Sequence, residues 1–467
     1  MSDFPYADRF PVNRRLPEHG RSRDEVLEEL SVMAREEDAF WETGKVSGTM
    51  YCGDHDHYEF LTEAFGKFAH VNALQRDLCP SATRFEGEVV AMVLDLMHGD
   101  AVTDGEPGGM LTSGGTGSIL HAVLAYREDA RARGVTRPNL VKPETAHPAF
   151  DKACHLFGVE CRTVPVDPQT TRVRPEAMAE AVDAETIALV GSAGNYPYGT
   201  IDPIAELGEL ALRHGIGLHV DGCLGGFILP FGEQLGYDIP AFDFRVPGVT
   251  TISADTHKYG YAFKGSSVLL FRDKALRNRQ YFHIVGWSGG KYMSPGMDGS
   301  RSGGLLASTW ASLVHLGREG YAAHAREIFE TAAAMMAAVR SHDDLRIMGD
   351  PTFCFSFTSD AFDIYHVADF MRPRGWRFNG QQYPNAIHMA VTRPQTQPGV
   401  REAFAADLEE AVAFARERSA AGDTAESGAI YGGVAGGLTS EVEDFIVTFM
   451  DAMLDNQQGL PPETAAG

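Results

Sequence analysis

Apolar residues recur along the chain with two different periods. Apolar positions three and four residues apart predict helices over residues 119–133, 148–157 and 204–214. Short β-branched or apolar runs between these segments predict buried strands. Because such strands and helices alternate, the pattern favours an α/β architecture. The predicted strands are residues 139–141, 162–166, 186–190, 217–220, 249–252 and 268–271.

The flanking parts of the chain follow other patterns. Prolines punctuate the first 40 residues until a helix is predicted over 23–40, which is typical of an arm that wraps a partner subunit. A long helix from residue 305 to about 339 is predicted to lead into a smaller C-terminal unit. We therefore expect an N-terminal arm and helical segment over 1–106, a large domain over 107–339 and a small domain over 340–467.

Composition narrows the classes of function. The 467 residues include 40 Lys and Arg against 64 Asp and Glu, and the net charge of −24 argues against nucleic acid or an anionic membrane as the main partner. The six cysteines form no CxxC pair, which predicts reduced thiols and no zinc site. No stretch has the ~20 continuous apolar residues that span a bilayer. We expect a soluble, cytoplasmic protein.

Four features of the sequence are candidates for a catalytic or ligand-binding role. Lys258 lies in a turn that follows the predicted strand 249–252, and Asp221 follows the predicted strand 217–220. The glycine-rich turn 108–118 opens a helix, where backbone N–H groups can bind an anion. His147 lies in a turn before a proline. Each feature alone also fits a structural role, but together they are the parts that hold pyridoxal phosphate: a Schiff-base lysine, a carboxylate for the ring nitrogen, a phosphate site and a ring to stack on the pyridine.

Motifs spread over nearly the whole chain carry a family resemblance. The resemblance begins at segment 47–51. His219-Val220-Asp221 and Asp255-Thr256-His257-Lys258-Tyr259-Gly260 mark the superfamily, whereas segments 243–250, 299–301 and 429–432 are more specific, as is a second lysine, Lys264. With these motifs the chain resembles the group II decarboxylase branch of the fold type I pyridoxal-phosphate enzymes, which share the aspartate aminotransferase fold. Within that branch it resembles the soluble bacterial sphingosine-1-phosphate lyases. The resemblance implies a mostly parallel central sheet and a small C-terminal α/β domain.

The resemblance also implies how the cofactor is held. Lys258 would form the Schiff base, Asp221 would pair with the pyridine nitrogen and His147 would stack on the ring. The residues that would hold the cofactor phosphate are Gly115, Thr116 and His257, with Ser300 reaching over from the other subunit.

The chain departs from the family pattern at two positions. Gln75 stands where many lyases have a histidine, and Gly117 stands where a glutamate is usual. The missing histidine leaves its acid–base or phosphate-binding role open. The residues that would face the substrate are Tyr51 and Asn72 from the partner subunit, together with Tyr196, Lys264, Gln75 and Tyr431; Lys264 and Tyr51 are the candidates for proton transfer.

Three functions remain open at this stage. The resemblance implies a lyase that cleaves the C2–C3 bond of a phosphorylated long-chain base by a retro-aldol step, releasing a fatty aldehyde and phosphoethanolamine. It also implies a homodimer whose active sites are shared between subunits. An amino-acid decarboxylase would use the same lysine and aspartate, and a non-catalytic pyridoxal-phosphate-binding protein is the third alternative.

Overall fold

The fold is taken from a computed structural model, which describes residues 5–13, 15–426 and 440–458. Helices and strands alternate from residue 108 to 271, as the hydrophobic pattern predicts. The helices are α1 Arg23–Trp41, α2 His55–Lys67, α3 Pro80–Leu96, α4 Gly115–Ala132, α5 Ala149–Phe157, α6 Pro175–Glu180, α7 Ile204–His214, α8 Leu229–Gln234, α9 Lys274–Asn278, α10 Gly303–Arg340, α11 Tyr365–Met371, α12 Val400–Ala421 and α13 Ser440–Gln458.

A seven-stranded sheet forms the centre of the molecule. Its strand order is β1-β7-β6-β5-β4-β2-β3, and only β7 runs antiparallel to its neighbours. The strands β2, β4, β6 and β7 are buried along their whole length, as expected for a sheet covered by helices on both faces. The strands are β1 Gly108–Thr112, β2 Asn139–Pro143, β3 Glu160–Val164, β4 Thr186–Ser192, β5 Gly217–Asp221, β6 Thr251–Ala254 and β7 Ser267–Phe271.

A second, antiparallel sheet lies in the C-terminal part of the chain. Its order is β10-β11-β13-β12, and β11 and β13 are fully buried. Helix α10 leads into it but is interrupted at Gly317, whose φ of 57° and ψ of −178° are not helical. Glycine adopts this left-handed φ without steric cost, so two helical pieces meet there. The strands are β10 Arg346–Ile347, β11 Cys354–Thr358, β12 Asn379–Gln381 and β13 Ala386–Ala390.

One element between α9 and α10 was not predicted from the sequence. Residues Phe282–Trp287 (β8) and Gly290–Ser294 (β9) form a two-stranded hairpin that is separate from both sheets. The hairpin is largely exposed, including large apolar side chains such as Val285 at 73% and Trp287 at 56%. Its glycines mask the period-two pattern that would have identified the strands.

None of the helices within residues 5–13, 15–426 and 440–458 is both long and apolar enough to cross a membrane. All six cysteines lie in this part of the chain and carry free thiols.

Candidate active site

The carboxyl ends of five strands meet at one edge of the central sheet. Gly114 and Gly115 follow β1, His147 follows β2, Tyr196 follows β4, Asp221 ends β5, and residues 255–258 follow β6. In open α/β sheets this edge is where ligands bind. The topology therefore brings together residues that lie far apart in the sequence.

Lys258 forms an ion pair with a residue of its own motif. Its Nζ lies 3.0 Å from Oδ2 of Asp255, which is only 2% exposed as a side chain. Burial disfavours the charged amine, but the Asp255 carboxylate outweighs this effect and raises the pKa of Lys258 above its ordinary value. Oδ1 of Asp255 is buried and has no hydrogen-bond partner among the described residues. No function for Asp255 was predicted from the sequence, although this residue lies in the lysine motif.

Asp221 is held in its ionised form at the end of β5. Burial opposes the charge, but His219, His147 and the Cys223 backbone N–H together lower the pKa of Asp221 below its usual value. A buried carboxylate that stays ionised can accept a hydrogen bond from a protonated ring nitrogen. The His147 ring is exposed beside it and stacks on no other ring in the described part of the chain.

The turn between β1 and α4 has room only for glycine. A Cβ at Gly115 would lie 2.7 Å from Oδ2 of Asp255 and 2.9 Å from Sγ of Cys223. Gly114 has a φ of 125°, and a Cβ there would lie 3.5 Å from Cε1 of His257. His257 is fixed by a hydrogen bond from Nδ1 to the Ser266 carbonyl at 2.6 Å, and Thr116 is exposed at the start of α4. Backbone N–H groups, a hydroxyl and an imidazole thus surround one concave turn.

Tyr51 and Lys264 lie next to each other and next to the Lys258 segment. The Lys264 ammonium donates to the Thr49 carbonyl at 2.9 Å and lies 4.7 Å from the centroid of the Tyr51 ring. Burial of the ammonium, and then repulsion from Lys258, lower the pKa of Lys264 to about 8. Burial also raises the pKa of Tyr51 to about 12. At neutral pH, Tyr51 can therefore donate a hydrogen bond, and a fraction of Lys264 is free to accept a proton.

The expectation that Tyr51 comes from the partner subunit is wrong for this structure. Tyr51 packs edge-to-face on Tyr259 of its own chain, with 5.0 Å between ring centroids, and Lys258 of the same chain is close enough to affect its pKa. The physical reason is that the glycine-rich segment 44–53 is bound by the C-terminal part of the chain. The Arg393 N–H donates to the Tyr51 carbonyl at 3.2 Å and the Thr392 hydroxyl to the Met50 carbonyl at 2.8 Å.

Tyr196 lies on the other side of the same region. Its ring packs on His388 of β13. Nε2 of His388 lies 2.9 Å from Sγ of Cys354 on β11, and Cys354 is close enough to Lys258 for the lysine charge to affect the pKa of the thiol. Neither Cys354 nor His388 was identified from the sequence. Each belongs to a strand more than 90 residues after Lys258, and no local motif marks either residue.

Asn72 and Ser300 form a second group. The Asn72 amide donates to the Ser300 hydroxyl at 3.0 Å, and its Oδ1 accepts the Arg301 N–H at 3.3 Å. The guanidinium of Arg301 makes a bidentate pair with buried Glu86, which fixes the segment. Ser300 lines a cavity of about 210 Å³ together with Ser113 and Gly265. Gln75 is exposed on the loop that also carries Asn72.

One of the family-specific segments does not contribute to the site. Arg245, in one of the family-specific segments, forms a bidentate pair with Glu233 and also binds Asp243, so its guanidinium is committed to structural contacts. Tyr431 and the segment 429–432 lie outside the described residues.

The residues that meet at the sheet edge fit pyridoxal phosphate. They provide an amine, a buried ionised carboxylate, an exposed ring beside that carboxylate and a glycine turn that a methyl group would fill. A family model described as the pyridoxal-dependent decarboxylase conserved domain matches residues 8–357. A Lactobacillus brevis glutamate decarboxylase has the same fold, with a TM-score of 0.75 and 21% identity over 88% of this chain and 97% of that one. Fold and site therefore define a pyridoxal-phosphate-dependent enzyme.

Proteins with higher sequence identity to this chain identify its branch among the pyridoxal-phosphate-dependent enzymes. A sphingosine-1-phosphate lyase of Dictyostelium discoideum is 42% identical, with 89% of this chain and 78% of the relative aligned, and the rat enzyme is 42% identical with 89% and 72% aligned. The solved structure of a Burkholderia pseudomallei sphingosine-1-phosphate lyase is 57% identical with a TM-score of 0.90, covering 96% of this chain and 99% of that one. The chain belongs to the sphingosine-1-phosphate lyase family. The predicted fold class, cofactor and lyase chemistry are thereby confirmed over the decarboxylase alternative.

Proposed function

We propose that this lyase cleaves the C2–C3 bond of phosphorylated long-chain bases such as sphingosine 1-phosphate, giving a fatty aldehyde and phosphoethanolamine. The observation that carries the proposal is the second lysine: Lys264 lies beside Tyr51 and Lys258, and its pKa is lowered to about 8. Breaking a carbon–carbon bond next to a hydroxyl requires a base for the hydroxyl proton. A decarboxylation, by contrast, breaks a bond to a carboxylate that has no proton to lose.

The cofactor-binding roles follow from the geometry of the sheet edge. Lys258 would bind the cofactor covalently, Asp221 would accept a hydrogen bond from its ring nitrogen and His147 would cover one ring face. Gly115, Thr116 and His257 would hold the phosphate, with Ser300. Pyridoxal phosphate, when bound, supplies the electron sink for the bond that breaks. Asp255 would balance the charge of the Lys258 amine before the cofactor binds.

Lys264 and Tyr51 would have different tasks. The lowered pKa of Lys264 suits a base that takes the proton from the substrate C3 hydroxyl. The raised pKa of Tyr51 suits a group that stays protonated and donates a hydrogen bond to the oxygen of the departing aldehyde. Tyr196 would face the substrate from the opposite side, while Asn72 and Gln75 would contact it near Ser300.

Product analysis tests the reaction. Purified protein loaded with cofactor is incubated with a phosphorylated sphingoid base, and separately with glutamate and an aromatic amino acid. Mass spectrometry should detect fatty aldehyde and phosphoethanolamine in equal amounts from the first. Carbon dioxide release from the amino acids without aldehyde formation would support a decarboxylase, and no product from any substrate would support a binding protein.

Substrate affinity should depend on both ends of the molecule. Each buried methylene contributes ~0.8 kcal/mol, so a tail of ~10 methylenes adds several kcal/mol even after the cost of ordering it. We expect KM to fall as the alkyl chain lengthens, and the unphosphorylated base to be a much poorer substrate. Steady-state kinetics on a series of chain lengths measures both effects. Equal kcat/KM for the phosphorylated and unphosphorylated bases would contradict this substrate assignment.

We also propose a homodimer in the cytoplasm, with the domain boundaries expected from the sequence. The exposed apolar face of the hairpin β8–β9 is a surface that a second copy of the chain would cover, since large apolar patches mark interfaces. Ser300 follows this hairpin directly, so a hairpin seated on a partner would bring Ser300 towards the partner's site. Six free thiols fit a reducing compartment.

Mixed dimers distinguish residues that act within a chain from those that act across it. Ser300→Asp would place a carboxylate against the cofactor phosphate and inactivate the site it serves. If Ser300 serves the partner, mixing this variant with Lys258→Ala under subunit exchange should recover about a quarter of wild-type activity, since half the random dimers carry one intact site of two.

The matched control is Tyr51→Phe mixed with Lys258→Ala. Because Tyr51 lies beside Lys258 of its own chain, no mixed dimer of this pair has an intact site and no activity should return. Recovery with Tyr51→Phe, or none with Ser300→Asp once exchange is demonstrated, would contradict this arrangement.

A further inference from the structure

The ring of Tyr196 rests on a buried histidine of the small sheet. The ring centroids of Tyr196 and His388 are 4.6 Å apart, with planes inclined by 35°. The His388 imidazole also hydrogen-bonds the Tyr196 main chain. His388 is 0% exposed, whereas Tyr196 is 45% exposed, so the tyrosine packs on a buried ring while nearly half of its own surface stays accessible.

His388 is itself held from two sides. Its Nε2 lies 2.9 Å from Sγ of Cys354 on the neighbouring strand β11, and Ser47 donates to its backbone carbonyl at 3.3 Å. Burial lowers the pKa of His388 to about 4, so the ring is neutral at physiological pH. Burial and polar contacts restrict a neutral ring to few orientations.

The loop that carries Tyr196 is fixed to the same sheet. The hydroxyl of Ser356 and the amide of Gln381 both donate to the Pro197 carbonyl. Gly199 approaches β11 so closely that a Cβ there would lie 1.8 Å from the Cys354 carbonyl oxygen. Strands β11 and β12 therefore hold the backbone of residues 196–199, and His388 on β13 holds the ring.

We propose that His388 is a positioning residue that fixes the Tyr196 ring towards the substrate, so that the small sheet determines the geometry of an active-site group on the central sheet. This inference rests on the proposed function, in which Tyr196 faces the substrate. His388 does not contact the reacting atoms, because Tyr196 covers it. Displacement of a positioned group by about 1 Å can cost up to about a hundredfold in rate.

The test uses His388→Gln, which keeps polar atoms but removes the stacking surface, and His388→Phe, which keeps a ring. The control is His366→Gln, a histidine that is 3% exposed and belongs to helix α11 rather than to β13. We expect kcat to fall about tenfold in His388→Gln and to be partly restored in His388→Phe, with KM changed less than about twofold. His366→Gln should change thermal stability without this loss of kcat. Equal losses of kcat in His366→Gln and His388→Gln would overturn the proposal.

A double-mutant cycle with Tyr196→Phe separates this inference from the proposed function. If His388 acts through Tyr196, the double variant should be no slower than Tyr196→Phe alone. Additive losses would show that His388 acts independently, while the lyase assignment stands. No effect of Tyr196→Phe on turnover would instead remove Tyr196 from the proposed mechanism. A crystal structure of His388→Gln gives a readout independent of activity: the Tyr196 ring should be displaced, and an unmoved ring contradicts the inference.

Discussion

Replacement of Lys258 by alanine is expected to abolish turnover and covalent retention of the cofactor, while leaving the fold intact. The Lys258 amine lies 3.0 Å from Oδ2 of the buried Asp255 carboxylate, and a lysine amine is the side chain that forms a Schiff base with an aldehyde. Borohydride reduction of the wild-type protein, followed by peptide mapping, should place the pyridoxyl group on Lys258. Circular dichroism of the alanine variant should match the wild type.

The neighbouring lysine provides the control for this experiment. Lys264→Ala should still show the pyridoxyl group on Lys258 after reduction, because Lys264 lies against Tyr51 and Thr49 rather than Asp255. A label on Lys264 in the wild-type protein would reverse the two assignments. It would also make Lys258 the candidate base.

Replacement of Lys264 by methionine should lower kcat by about 10² to 10⁴, the range for loss of a general base. The pKa of Lys264 is lowered to about 8, and the neutral amine is the active form. The wild-type rate should therefore rise between pH 7 and pH 9 as the amine loses its proton, and then reach a plateau. This rising limb should be absent from the pH profile of the methionine variant.

The Lys264→Arg variant distinguishes two roles for Lys264, that of a general base and that of a ligand for the substrate phosphate. Arginine keeps the positive charge and binds phosphate, but it does not give up its proton in this pH range. If Lys264 is the base, the arginine variant should be as slow as the methionine variant. If arginine restores the rate and KM increases only in the methionine variant, Lys264 binds the substrate phosphate instead.

The sequence predicts well those parts of the site that depend on local pattern. Asp221 ends one buried strand and Lys258 lies in the turn that follows another, and the parallel order of these strands then brings both to one edge. The helix predicted over 204–214 has those bounds in the structure, since its apolar period and the glycine at 215 define both ends. The family resemblance correctly identified the fold and the cofactor.

Contacts between distant segments could not be derived in the same way. Segment 44–53 has no periodicity of its own, and it is ordered by hydrogen bonds to residues about 340 positions later, so Tyr51 was expected in the wrong subunit. From the sequence, Cys354 and His388 could be identified only as buried strand residues. Their link to Tyr196 depends on how the small sheet packs on the central one, a relation that neither hydrophobic period encodes.

The exposed hairpin β8–β9 is expected to affect folding during protein synthesis. A newly synthesised chain carries an unpaired strand edge with exposed Phe282, Val285, Trp287 and Met293 until another surface covers it. Such edges are where nascent chains adhere to one another without specificity. Chaperone binding during synthesis, and inclusion bodies in a heterologous host, would then originate from this short ribbon rather than from the catalytic core.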